Sequence, residues 1–523
     1  MPTETPPTLI VLQASDNVAI ARVALAEQAE ATRPDGAPLR VRQPIAPGHK
    51  VALRDIAPGE VVLKYGQPIG IASQAIKAGD HVHVHNLDMA RLAAATQSQS
   101  QSQFQSQLQS QQRHPITPAA GGEALTFDGY PRADGRVGTR NYIGVLSSVN
   151  CSATVCKAVA QAFDAAALAE FPGVDGVVAI THGSGCGMSE GEGLALLQRT
   201  LRGYATHPNF AAVLLIGLGC EVNQVDALVK GLDPMARQRV RALTIQDSGG
   251  TREAIARGKE LVRELAAKAA MSQRSPVPLS HLVVGLQCGG SDGYSGISAN
   301  PALGAAVDLL VAQGGTAILS ETPEIYGAEH LLTARAASPE VAERLLARLR
   351  WWESYAASHG AELDNNPSPG NKVGGITTIL EKSLGAVAKG GSSTLTDVVA
   401  YAEPVHGPGL VFMDTPGYDP VSATGQVAGG ANLICFTTGR GSTYGCKPTP
   451  SLKLATHTRL FERMPLDMDF NAGGIVDGTQ SVAEAGRALF RLMLETASGR
   501  PTLSEEHGLG DNEFVPWQLG AVM

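Results

Sequence analysis

The sequence predicts an α/β protein whose large part consists of mostly parallel sheets covered by helices, preceded by a small all-β module. Three observations carry this. Short apolar runs ending in Gly and polar residues (GVVAITHG, AAVLLIGLGCE, HLVVGLQCGGSD, GGTAILSETPE) alternate with helical stretches such as NPALGAAVDLLVAQ and PEVAERLLARLRWWESYAASHG. Such alternation implies parallel strands joined by crossover helices. Near the N-terminus, by contrast, alternating Val, Ile and Leu are punctuated by Pro-Gly and Ala-Gly, as in APGHKVALRDIAPGEVV and IKAGDHVHVHN. An A-x-G turn feeding a β run, used repeatedly, describes a small barrel or clip. Between the two lies QSQSQSQFQSQLQSQQ (97–112), too polar to bury surface, which is expected to act as a flexible linker.

Each part takes its boundaries from these signals: a β module over 1–95, a linker over 96–126, a first α/β lobe over 127–385 and a C-terminal lobe over 386–523, where GLVFMDTP, ANLICFTTGRGST and SLKLATHTRL continue the pattern. A chain of 523 residues exceeds what one core sustains. Its 43% hydrophobic and 17% charged content fits a soluble protein, and 59 glycines imply many tight turns. With a net charge of −8 and no long Lys/Arg run, nucleic-acid binding is not expected. No apolar stretch reaches the ~18 residues of a membrane span. The N-terminus lacks the basic, apolar and small-residue order of a signal peptide. Seven cysteines in such a long chain do not make a disulfide framework, so a cytoplasmic location is expected.

In parallel sheets ligands sit beyond the carboxyl ends of strands, and chemistry-bearing residues cluster there. Cys151, Cys186, Cys220 and Cys288 each stand alone in a strand-end segment, with no C-x-x-C spacing. Each is read as a small residue at a tight corner, with a shared oxygen-sensitive cluster as the lesser alternative. GLGCEVNQ sets Glu221 beside a Gly-rich end, and QCGGSDGYSG offers Ser291 and Asp292 to a polyhydroxylated ligand or its carboxylate. ETPEIYGAE supplies Glu321 and Glu324, which could act as base or metal ligand or simply cap a helix. NPSPGNK presents Asn371 and Lys372, and TTGRGSTYG holds Arg440 amid donors suited to a carboxylate or phosphate. GYPRADGRVGTRN brings Arg132, Arg136, Arg140 and Asn141 to the first strand, with interdomain salt bridges as their plain alternative. Neither nucleotide fingerprint is present, so no nucleotide cofactor is expected.

Taken together, GHKVALRDI, LKYGQPIG, GDHVHVHN, GYPRADGRVGTRN, LIGLGCE, QCGGSDGYSGISANP, NPSPGNKVGGITTILEKSLG and FTTGRGSTYG resemble the altronate/galactarate dehydratase family of sugar-acid hydro-lyases. The resemblance spans nearly the whole chain outside the Gln/Ser tract, and the small module resembles that family's SAF-type β-clip domain. GDHVHVHN and SETPEIYGAEHLL look closer to altronate dehydratase than to galactarate dehydratase, and sulfolactate sulfo-lyases are further kin. The resemblance implies dehydration of an aldonate, D-altronate, to a 2-keto-3-deoxy acid with a divalent metal, Fe2+ first and Mn2+ as the alternative. The partner would be a small sugar acid, and the protein a homodimer or higher homo-oligomer. Within that context, His49, His83 and His85 are the expected metal ligands, with His81 outside the site. Alternate residues of a strand share a face, but same-face neighbours stand ~7 Å apart, so two converge on one ion more easily than three. His182 is the leading acid or base, with Lys372 and Glu221 behind it; Arg140, Asn141, Ser291, Asp292, Asn371 and Arg440 are the expected substrate contacts. A sugar-acid binding protein without catalysis is the competing class.

Overall fold

A computed structural model of the chain describes residues 7–89 and 125–520. The predicted Gln/Ser linker falls almost wholly outside the described residues. Among the described residues no helix is long and apolar enough to cross a membrane.

The small domain is all β. Leu9–Ile10, Val18–Ala21, Lys50–Ala52 and His81–Val82 form one antiparallel sheet in that order. Val61–Lys64, Gln67–Ala72 and Leu87–Asp88 form a second, and Glu30–Thr32 pairs with Pro38–Arg40. The repeated turns are real: Gly48 and Gly59, each after Ala-Pro, and Gly79, after Ala78, all have φ between 83 and 87°, which a side chain would strain. The Gly48 carbonyl in turn lies where a Cβ on Gly293 or Gly375 would stand, so those two positions require glycine. The small domain thereby docks backbone to backbone on the large part.

Two parallel sheets follow. The first has strand order Gly176–Ile180, Tyr142–Ser147, Phe210–Gly217, Val240–Thr244. Helices Ala153–Ala160 and Thr251–Ala269 cover one face, and Glu192–Ala205 packs on the other. The second has seven strands: Leu395–Val399, Gly409–Met413, Thr316–Leu319, Val283–Cys288, Leu433–Thr438, Ser451–Ala455 and Phe470–Asn471. Helices Ala299–Ala312 and Val482–Ala497 pack together over one face, with Asp419–Ala428 on the other.

The expected division at 385/386 is corrected by this topology. Val283–Cys288 pairs with Thr316–Leu319 on one side and Leu433–Thr438 on the other, so a single sheet crosses the expected boundary. The break between sheets instead follows helix Thr251–Ala269. Apolar periodicity identifies strands but not which of them share a sheet. Strand order reverses beside Val283–Cys288, and there QCGGSDG and TTGRGST meet, where α/β sheets hold ligands.

Candidate active site

His49, His81 and His83 come together where the small domain meets the seven-stranded domain. Val51 pairs with His81 across the antiparallel ladder, which puts the turn residue His49 beside it. His49 Nδ1 lies 2.9 Å from His81 Nε2, and the His83 ring centroid is 5.1 Å from that of His49 and 5.2 Å from that of His81. One ring nitrogen from each residue lies within 4.8 Å of the others. The expected set had His85 in place of His81. The structure leaves His85 exposed, its ring centroid 5.6 Å from that of His81. The cause is local: the strand ends at Val82, and the Asn86 side chain accepts from the His83 N–H and donates to the His81 carbonyl. The chain turns there, so strict alternation stops.

Burial pushes His81 down to about 3 and His83 to about 4, helped at His81 by the neighbouring imidazoles and at His83 by Lys50. Burial also lowers His49. All three rings are therefore neutral near pH 7, the form that binds metal. His83 Nδ1 is buried with no hydrogen-bond partner, which is costly unless something fills it. Clustered neutral imidazoles with an unused nitrogen suit a divalent transition metal.

An ion triad holds this edge in place. Glu381, on helix Ile379–Val387, accepts from Lys50 Nζ at 2.8 Å and Lys64 Nζ at 2.8 Å, all three side chains being at most 2% exposed. Thr377 adds its N–H and hydroxyl. Burial favours the neutral acid, yet the two ammonium groups outweigh it and hold the Glu381 carboxyl far below its ordinary value. One carboxylate cannot fully compensate two cations: burial pushes Lys50 down to about 8, whereas Lys64 stays fully charged. On the other side His49 Nε2 lies 3.0 Å from the Val373 carbonyl, so the large domain fixes the ring that the small domain supplies.

Next to this turn a cavity of about 210 Å³ is lined by Pro47, Val373, Asp292, Arg440, Arg459 and Arg463, among others. Three guanidinium groups around one cavity favour a carboxylate. Asp292 is buried and held by Ser295, Thr456 and the Tyr294 N–H, with His457 Nε2 3.7 Å away. Ser291 and Asp292 also line a small inner cavity that reaches Lys64, Cys288 and Lys382. Asn371 caps its own short helix and donates to the Ser291 carbonyl, so it positions this loop. Lys372 is half-buried, one residue before Val373.

Deeper in the switch point sits a polar cluster that sequence reasoning only partly located. Cys288 Sγ is 3.7 Å from Glu324 Oε2 and 3.9 Å from Glu321 Oε2. Lys389 Nζ donates to Cys288 Sγ at 2.9 Å, and Lys382 Nζ donates to Glu324 at 2.6 Å. Glu321 adopts left-handed backbone, φ 72°, a conformation that strained functional residues often hold. Burial, with Glu324 nearby, drives the Glu321 carboxyl well up and lifts Asp419 to about 7. Lys382, Lys389 and the docking lysines had no sequence signal, because their carboxylate partners lie 58 to 331 residues away on other elements.

Other expected residues fall elsewhere. His182 and Glu221 belong to the four-stranded sheet. His182 Nε2 lies 3.1 Å from the Ser147 carbonyl and Nδ1 3.1 Å from Ser184 Oγ, and burial lowers the ring to about 4. Glu221 accepts from Ser148 Oγ and the Gly219 N–H, each at 2.6 Å. Arg140 and Asn141, expected to touch substrate, are structural. Arg140 donates to both Glu505 oxygens and to the Thr139, Thr496 and Arg500 carbonyls. Asn141 accepts from Arg132 and donates to the Gly173 and Ala269 carbonyls. Their hydrogen-bonding groups are consumed in joining segments of the chain.

Comparison with known proteins matches this architecture part by part. Residues 7–90 match the altronate/galactarate dehydratase SAF domain, 129–270 the second domain of D-galactarate dehydratase/altronate hydrolase, and 279–522 the D-galactarate/altronate dehydratase C-terminal domain. The altronate dehydratase of Bacillus subtilis is 36% identical over 499 residues, covering 94% of this chain and 95% of the relative. The altronate dehydratase of Escherichia coli is 38% identical over 501 residues, covering 95% and 97%. The galactarate dehydratase (L-threo-forming) of Escherichia coli is 38% identical over 515 residues, covering 97% and 96%. With this domain order and this extent of similarity, the chain belongs to the altronate/galactarate dehydratase family of hydro-lyases.

Proposed function

We propose that the chain dehydrates D-altronate to 2-keto-3-deoxy-D-gluconate, with a divalent metal, Fe2+ in the first instance, held by His49, His81 and His83. The observation that carries the proposal is the neutral imidazole cluster one turn from a cavity ringed by Arg440, Arg459 and Arg463. Removing the proton next to a carboxylate adds negative charge to an anion, so the reaction needs cationic groups at that carboxylate. The bound metal would supply Lewis-acid stabilisation of that charge. The three guanidinium groups bind and orient the carboxylate, while Asp292 and Ser291 face the sugar hydroxyls from the inner wall. Lys372, next in sequence to the Val373 whose carbonyl fixes His49, is the proposed proton-exchanging group, whereas His182 and Glu221 lie on the other sheet with their polar atoms engaged. Loss of the β-hydroxyl with a proton gives water and an enol, which becomes the keto acid unaided.

Galactarate is the second reading, supported by a galactarate dehydratase relative as similar as the altronate ones. Incubating anaerobically purified protein and Fe2+ with altronate, galactarate and sulfolactate separates the cases. Keto-acid formation from altronate at the highest kcat/KM is expected. Preference for galactarate, or sulfite release from sulfolactate, would replace the substrate assignment, and turnover of none would remove it.

A further inference from the structure

Seven cysteines are free; Cys156, Cys288, Cys435 and Cys446 are buried, while Cys151, Cys186 and Cys220 are exposed. The exposed three are the ones that follow three neighbouring strands of the four-stranded parallel sheet: Cys151 after Tyr142–Ser147, Cys186 after Gly176–Ile180 and Cys220 after Phe210–Gly217. As small residues filling tight corners they would be covered, so exposure overturns that reading for all three.

Backbone contacts tie their loops to one another. The Asn150 N–H donates to the Ser184 carbonyl at 2.9 Å, and the Asn223 N–H to the Gly185 carbonyl at 3.0 Å. The Asn223 side chain donates to the Ser148 carbonyl at 2.8 Å, and Ser148 Oγ to Glu221 at 2.6 Å. Each thiol is therefore within three residues of a bond to another thiol's loop. Strand order also reverses here, beside Tyr142–Ser147, so the three loops surround the crevice where such sheets bind ligands. Two buried polar atoms here, Ser147 Oγ at the strand end and Asn223 Oδ1 in a loop, have no hydrogen-bond partner. Gly185, Gly187 and Gly219 have φ of 103, 63 and 128°, and glycine lets backbone N–H groups approach a ligand closely.

We propose that Cys151, Cys186 and Cys220 together ligate a [4Fe–4S] cluster whose fourth iron has no protein thiolate. Three thiolates on separate loops suit a cluster better than a single ion, because cluster corners are spaced apart by iron and sulfide. Clusters of this type take Cys ligands, and backbone N–H groups near the sulfurs tune them. The fourth iron is open to an oxygen donor such as water or a hydroxy acid. This site is distinct from the histidine cluster and stands whether or not the substrate assignment does.

The test is iron and acid-labile sulfide analysis, with electron paramagnetic resonance after reduction, on full-length protein isolated without oxygen. Wild type is expected to contain about four irons and four sulfides per chain in the cluster. The Cys151→Ser/Cys186→Ser/Cys220→Ser variant should lose the sulfide and the resonance while keeping its circular dichroism, since these side chains are exposed. His83→Ala should keep the sulfide, which separates this site from the histidine metal. Wild type without sulfide, zinc bound by the thiolates, or sulfide retained in the triple variant would each overturn the proposal. Should the triple variant lose its fold, the single variant Cys151→Ser decides: sulfide retained at the wild-type level overturns the proposal, and loss supports it.

Discussion

Replacing Glu381 by Gln removes the one carboxylate that compensates two buried ammonium groups, Lys50 and Lys64, both within 2.8 Å of it. Breaking a buried pair by deleting one partner costs about 3–5 kcal/mol. Gln keeps an oxygen that can accept one of the hydrogen bonds, so the lower end applies: about 3 kcal/mol, roughly a hundredfold in an opening equilibrium. Both lysines belong to the small domain and Glu381 to the large one, so the loss falls on docking. Amide hydrogen exchange reads it directly: protection in Lys50–Ala52 and Val61–Lys64 should fall about a hundredfold, with Phe210–Gly217 unchanged. The pH dependence carries its own sign. Lys50 is pushed down to about 8 when folded and returns to ~10.4 unfolded. The unfolded state therefore binds more protons between these values, and stability rises with pH across that window. Without Glu381 the folded value drops further, so the rise should begin at lower pH. A change in protection below about threefold, or stability that falls with pH between 8 and 10, would refute this account of the joint.

His83→Ala should abolish stoichiometric metal retention at the histidine site after dialysis, whereas His85→Ala should leave it unchanged, as metal analysis will show. Arg440→Ala should raise KM for the sugar acid about tenfold with a smaller effect on kcat, the loss of one charge-assisted hydrogen bond to a carboxylate being about 1.5–3 kcal/mol when complete. Burial, with Glu324 nearby, raises Asp419 to about 7, above its unfolded ~3.9. The folded state binds the extra proton, so this group's stabilising contribution is full below pH 4 and is lost as pH rises through 7. Asp419→Asn should therefore gain stability relative to wild type as pH goes from 4 to 8, measured as the difference in denaturation midpoints.

Much of this architecture could be seen in the residues themselves. The A-x-G turns fixed the small domain's design because only glycine fits their backbone, and apolar runs ending in Gly marked the strand ends. His49 and His83 were expected as ligands through the family resemblance, and the structure brings both into the cluster. The exchange of His85 for His81 turned on Asn86, whose side chain closes a turn and so ends the alternation. Lys50 and Glu381 lie 331 residues apart, and no local pattern joins them. Arg140 was expected as a substrate contact through the family resemblance; that its guanidinium meets the carboxylate of Glu505 instead depends on how distant segments pack. The cysteines are the clearest case. Each is isolated in sequence, and only strand order brings Cys151, Cys186 and Cys220 to one crevice.

The joint between the domains has a consequence for how the enzyme is held together as a molecule. The contacts that dock the small domain (Gly48 against Gly293, His49 with Val373, Lys50 and Lys64 on Glu381) all lie within residues 7–89 and 125–520. Tying the two parts into one chain raises the effective concentration of each for the other. A chain severed between residues 89 and 125 should reassemble from its two fragments, and its activity should then rise with protein concentration while that of the intact chain does not.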